Sequence, residues 1–89
     1  MSLVSRLEGY AHLHDRRMTA IRLAENQPEH GREWMAEWAG LSDAEELGFP
    51  RRYSDDAAIQ WRYLRGFEEG RTILYAHGCL DARRTVMAG

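Results

Sequence analysis

Ser54-Asp55-Asp56-Ala57-Ala58-Ile59-Gln60-Trp61-Arg62-Tyr63-Leu64-Arg65-Gly66-Phe67-Glu68-Glu69-Gly70-Arg71-Thr72-Ile73-Leu74-Tyr75-Ala76-His77-Gly78 is the stretch on which the fold class turns. Ser54 reads as an N-cap, and Asp55 and Asp56 place negative charge in the first turn, where the helix dipole favours it. Ile59, Trp61, Tyr63, Leu64 and Phe67 carry the apolar side, with Trp61 and Phe67 expected in the core. Gly66 and Gly70 interrupt the helix four residues apart, as glycines do where two helices pack closely or where one kinks. One reading continues the helix to His77 with Gly78 as its cap. The other ends it near Glu69, makes Thr72-Ile73-Leu74-Tyr75 a strand, and turns a hairpin at His77-Gly78, an α+β fold with a short C-terminal hairpin at 71–80. The helical reading is preferred, and with it an all-α domain.

Upstream, Leu3, Leu7, Tyr10, His14, Met18 (or Arg17), Ile21 and Ala24 recur at steps of three and four. They predict one helical face over about 3–24, with Ser2 as N-cap. Asn26-Gln27-Pro28 stops that helix, and Pro28 suits the first turn of the next. A second helix is expected over about 28–39, with Trp34, Met35, Trp38 and Leu41 on its apolar side and Gly40 as its stop. Ser42-Asp43-Ala44-Glu45 reads as a capping box that starts a short third helix, ended by Gly48-Phe49-Pro50. Phe49 to Tyr53 is a loop. From Asp81 onward, with Arg83-Arg84, the chain reads as a frayed last turn. The expected architecture is a small three- to four-helix bundle, a single helical domain over 1–89.

Composition narrows the function. The 89 residues are 44% hydrophobic, enough for one modest core, and no apolar run approaches the ~20 residues of a membrane helix. The amino terminus lacks a signal-peptide layout, and the single Cys79 has no internal disulfide partner. A reducing cytoplasm is the expected compartment. There is no lysine, which excludes Schiff-base and P-loop lysine chemistry. A GC-rich coding sequence explains the all-arginine usage best; the functional alternative is a surface of bidentate guanidinium groups. Charge is segregated. Residues 1–24 hold four Arg against two acids (+2), residues 25–48 one Arg against seven acids (−6), and residues 49–89 seven Arg against five acids (+2).

Candidate chemical groupings are few. His12 and His14 point about 200° apart on a helix and cannot share an ion. His14 is placed on the apolar face. His77 and Cys79 lack a second ligand pair and an orienting third residue, so neither a metal site nor a nucleophile is expected. The pairs Glu45-Glu46, Asp55-Asp56 and Glu68-Glu69 diverge on a helix and suit solvation and capping. No cofactor and no catalysis are expected.

Arg65-Gly66-Phe67-Glu68-Glu69-Gly70-Arg71 resembles the Arg-Gly-aromatic-x-x-Gly stretch of ribosome modulation factor, a small helical protein that acts on ribosomes. That family's Cys-Pro element is missing here, and the family is basic whereas this chain has a net charge of −2. No functional residue is carried over. In size and charge layout the chain also resembles compact proteins encoded by phages and mobile elements, anti-CRISPR inhibitors among them.

The resulting expectation is a non-catalytic protein-interaction module or inhibitor with an acidic helical face for a basic partner surface. Glu29, Glu33, Trp34, Glu37, Trp38, Glu45 and Glu46 are its candidate contacts, although Trp34 and Trp38 are first expected to fill the core. The alternative is a ribosome- or RNA-associated regulator that contacts phosphates through Arg16, Arg17, Arg51 and Arg52. A homodimer is a further option, because a short helical chain with this many aromatics can complete its core across a twofold.

Overall fold

A computed structural model describes residues 2–80. It contains three α-helices, α1 (Leu3–Asn26), α2 (Gly31–Glu46) and α3 (Ala57–Ala76), with a 3-10 turn at Pro28–His30 between the first two. The all-α reading holds: Thr72 to Tyr75 are helical, and the described residues include no strand. The expected frayed turn with Arg83-Arg84 lies outside the described residues.

The caps explain the boundaries. The Ser2 hydroxyl accepts the Ser5 amide at 3.1 Å and starts α1. At α3 the cap is Asp56, not Ser54, because the Asp56 carboxylate accepts the amides of Ala58 and Ile59. The Ser54 hydroxyl instead accepts the Asp56 amide. α3 ends at Ala76, one residue short of the expected His77, which is its C-cap; Gly78 follows with a φ of 74° that is open to glycine, and the Cys79 amide folds back onto the Leu74 carbonyl at 2.8 Å.

The middle of the chain departs from the expectation. α2 runs through Gly40 to Glu46, and Ser42 lies buried inside it, so the Ser42 capping box and the separate short helix do not form. Gly40 is there for close approach. A Cβ at Gly40 would lie 2.6 Å from the Phe67 amide nitrogen; at Gly66 it would lie 3.0 Å from Glu37 Cα; at Gly70 it would lie 2.8 Å from Ala44 Cβ. Ala36, Ala39 and Ala44 complete a small-residue surface, and the two backbones almost touch.

Contacts advance together along the two helices. Ala36 and Ala39 meet Ile59 and Tyr63, Gly40 meets Gly66, and Leu41 meets Ile73 and Leu74. α2 and α3 therefore run in the same direction, and the segment between Glu46 and Ala57 must travel back along them. Gln60 holds that return segment, its Oε1 accepting the amides of Tyr53 (2.7 Å) and Ser54 (2.9 Å) while its Nε2 donates to the Arg51 carbonyl (3.0 Å). Buried Asp43 accepts from the Tyr63 hydroxyl at 2.6 Å and from Arg51 Nε at 2.7 Å. Tyr53 stacks on Tyr63 with centroids 5.2 Å apart.

α1 runs against the direction of both partners. Its buried face is Gly9, Leu13 and Ala20, not the predicted one. Leu3, Leu7, Tyr10, His14 and Met18 are exposed. Gly9 admits His77, whose Cβ would lie 2.6 Å from an added Cβ, and Leu13 joins Leu41, Ile73 and Leu74. Small residues let α1 dock closely, so its larger apolar stripe faces outward. Trp61, expected in the core, is 58% exposed, whereas Phe67 is fully buried as expected. The molecule is flattened, 41 × 27 × 14 Å.

Candidate interaction surfaces

Glu37 was expected on an open acidic face, yet it is 5% exposed. One carboxylate oxygen accepts from Arg16 of α1 and the other from Arg62 Nε of α3 at 2.7 Å. Arg16 Nε also donates to Glu69 at 2.7 Å, so a single ionic cluster pins all three helices. Trp34 belongs to it, with the Arg62 guanidinium 4.3 Å over its ring and its indole N–H donating to Gln27 at 3.1 Å. Such a cluster gives little net stability over an apolar one, but losing one member strands the others.

The remaining predicted acidic contacts are split. Glu29 is exposed and Glu33 pairs with His30 Nδ1 at 2.9 Å, both at the start of α2. Glu45 and Glu46 are exposed at its far end. Trp38 is half-buried against the Ala36, Ala39, Ile59 and Tyr63 cluster. The acidic segment is thus two separate acidic ends, because the middle of α2 is enclosed.

The four arginines considered for phosphate are not assembled either. Arg16 is spent on Glu37 and Glu69, and Arg51 on Asp43. Arg17 is half-buried. Arg52 extends into solvent beside Asp55 at 3.0 Å.

His77 and Cys79 serve the closure of the fold. His77 Nδ1 lies 3.1 Å from the Ser5 carbonyl, and the Cys79 thiol donates to the Arg6 carbonyl at 3.4 Å. Burial pushes the thiol pKa up, which keeps it protonated and a poor nucleophile. His14 is exposed, contrary to its predicted place on a packed face. Among the described residues no three His, Cys, Asp or Glu side chains gather as metal ligands, and no helix is long and apolar enough to cross a membrane.

Among the described residues, two hollows and one helix face leave apolar surface uncommitted. An open groove of ≈ 490 Å³ lies between the start of α2, the return segment and the start of α3, lined by Gly31, Arg32, Met35, Tyr53, Ser54 and Ile59. A second hollow of ≈ 450 Å³ runs along the outside of α3 past Trp61, Leu64, Arg65, Glu68 and Glu69, with Arg65 over the Trp61 ring at 5.0 Å. The third is the outward stripe of α1. Sequence reasoning missed the groove because Tyr53 and Ser54 reach it only through the returning segment; the strongest available signal was the length of chain between Gly48 and Asp56.

Comparison with protein-family models, with curated proteins and with solved structures finds no match.

Proposed function

We propose that this chain is a small non-catalytic binding module, of the kind that inhibits by covering a surface, and that it grips a protein partner with a basic face. One observation carries the reading: the groove has an apolar floor of Met35, Tyr53 and Ile59, open to solvent between the start of α2, the return segment and the start of α3. In sequence Glu29 comes just before the Gly31-Arg32 edge, and Asp55 and Asp56 follow Ser54 at the other; Glu33, about 200° from Met35 around α2, faces away from the groove and pairs with His30. An apolar anchor within a charged rim is how compact interfaces obtain affinity from the centre and orientation from the edge. A partner segment with one large apolar side chain between arginines or lysines fits this layout, such as a surface that otherwise holds nucleic acid. The site retains Glu29 from the acidic face and replaces Glu33, Glu37, Glu45 and Glu46.

The test compares variants at exposed positions. The tagged chain, passed over lysate of its native host, should retain a discrete basic protein. Met35→Glu, and separately Glu29→Lys with Asp55→Lys, should each weaken that capture by about tenfold or more, the effect of losing an interface anchor. Equal retention of the same protein by both variants would sink the groove as the contact site.

A further inference from the structure

The outward stripe of α1 holds five of the eleven exposed large apolar side chains among the described residues. Leu3 and Val4 are each 63% exposed, Leu7 58%, Tyr10 43% and Met18 38%. At those exposures the five side chains leave about 500 Å² per copy, or about 1,000 Å² across a twofold, which is where specific interfaces begin. Leu3, Leu7, Tyr10, His14, Met18 and Ile21 recur at steps of four and three, the spacing of a helix-to-helix seam. The rest of the molecule offers a reason for the stripe. Among the described residues the largest fully buried side chains are Tyr63, Phe67, Leu13, Leu41 and Leu74, a thin core.

We infer that the stripe pairs with the same stripe of a second copy, α1 against α1, and that the two helices run parallel. The charges beside the seam select that direction. Arg6 and Arg17 fall on one flank of the stripe, Glu8 and Asp15 on the other. In a parallel, in-register pair Arg6 faces the partner's Glu8 and Arg17 faces the partner's Asp15. An antiparallel pair would bring Arg6 against the partner's Arg17 and Glu8 against the partner's Asp15, like charge on like. Glu37 and Asp43 do not enter this interface, since both are committed inside the fold. The groove lies on other elements, so the pair and the proposed partner site can be occupied together.

Sedimentation equilibrium of the full chain at about 100 µM, a concentration that populates micromolar dimers, should give twice the 10.3 kDa monomer mass. Leu7→Glu should give the monomer mass with unchanged far-UV circular dichroism, because Leu7 supports nothing inside the fold. A Leu3→Cys variant in a Cys79→Ala background should form a disulfide-linked dimer on mild oxidation, which only the parallel arrangement allows. Monomer mass for the wild type, or dimer mass retained by Leu7→Glu, overturns the proposal. A chain ending at Leu80 that dimerises when the full chain does not assigns the stripe to residues 81–89 and also overturns it. A dimeric Leu3→Cys variant that fails to cross-link overturns the parallel direction. Groove variants such as Met35→Glu should leave the dimer mass unchanged, so failure of the partner reading and failure of this one are separable.

Discussion

Glu33 and Glu37 sit one turn apart on α2 with opposite fates, Glu33 beside His30 in solvent and Glu37 enclosed by Arg16 and Arg62. Glu37→Gln leaves two arginines facing a neutral amide and should lower unfolding stability by about 3 kcal/mol, whereas Glu33→Gln should change it by less than about 0.5 kcal/mol. Urea titration followed by tryptophan fluorescence reads both. Nothing local in the sequence separates the two glutamates, because the groups that enclose Glu37 arrive from α1 and α3, twenty-one and twenty-five residues away. The i, i+4 spacing made the acidic row legible but not its burial. Tyr63 gives a second residue-scale test. Burial, and then its hydrogen bond to Asp43, raise the phenol pKa above the ordinary 10.0, so the folded chain keeps a proton that the unfolded chain releases. Its contribution to stability is whole below pH 10 and is lost as pH rises through the folded value. The wild type should therefore lose stability steeply in alkali, and Tyr63→Phe, less stable at pH 7, should lose less between pH 9 and 11.

At the scale of elements, glycine is the residue whose meaning depends most on what lies across from it. Gly48 and Gly78 have φ of 79° and 74° and end or follow helices, as their place after apolar runs suggested. Gly40 looked equivalent but is helical, and it exists for the α3 backbone that crosses it. Periodicity made α1 and α3 readable, including the extension of α3 to Ala76, because each carries enough turns to show a pattern, whereas α2 was expected to stop at Gly40 and instead runs to Glu46. It misassigned the buried side of α1, since it weights large apolar residues and this fold docks α1 through Gly9 and Ala20. Gly40→Ala and Gly66→Ala should each cost about 3 kcal/mol or prevent folding, because the added methyl meets backbone that cannot yield. Gly31→Ala has only the Ala24 carbonyl at 3.9 Å nearby and should be neutral or stabilising by about 0.5 kcal/mol. Thermal melts followed by circular dichroism rank the three.

For the whole molecule, α2 and α3 run parallel and almost touch, so the chain between them must return along their length instead of turning tightly. A bundle with short loops does not need this, and the sequence hid it because parallel and antiparallel helix pairs share the same apolar pattern. The consequence is a slab only 14 Å thick in its smallest dimension, with alanine and glycine where a larger bundle places leucine. Close backbone contact makes up part of the shortfall, and the ionic cluster on Glu37 aligns the helices more than it stabilises them. A second copy on α1 would add burial to a monomer that already folds, and association is then linked to folding. Mass action gives that coupling a measurable form, since a dimer that unfolds to monomers gains stability with concentration. Raising the full chain from about 2 µM to about 200 µM should raise its melting temperature by several degrees, given that ~1 kcal/mol moves a domain of this size by about 4–8 °C. Leu7→Glu should melt lower than the wild type and at one temperature across that range. A wild-type midpoint independent of concentration would mean that the three helices and their glycine contacts suffice alone, and that the α1 stripe adds nothing to the folded state.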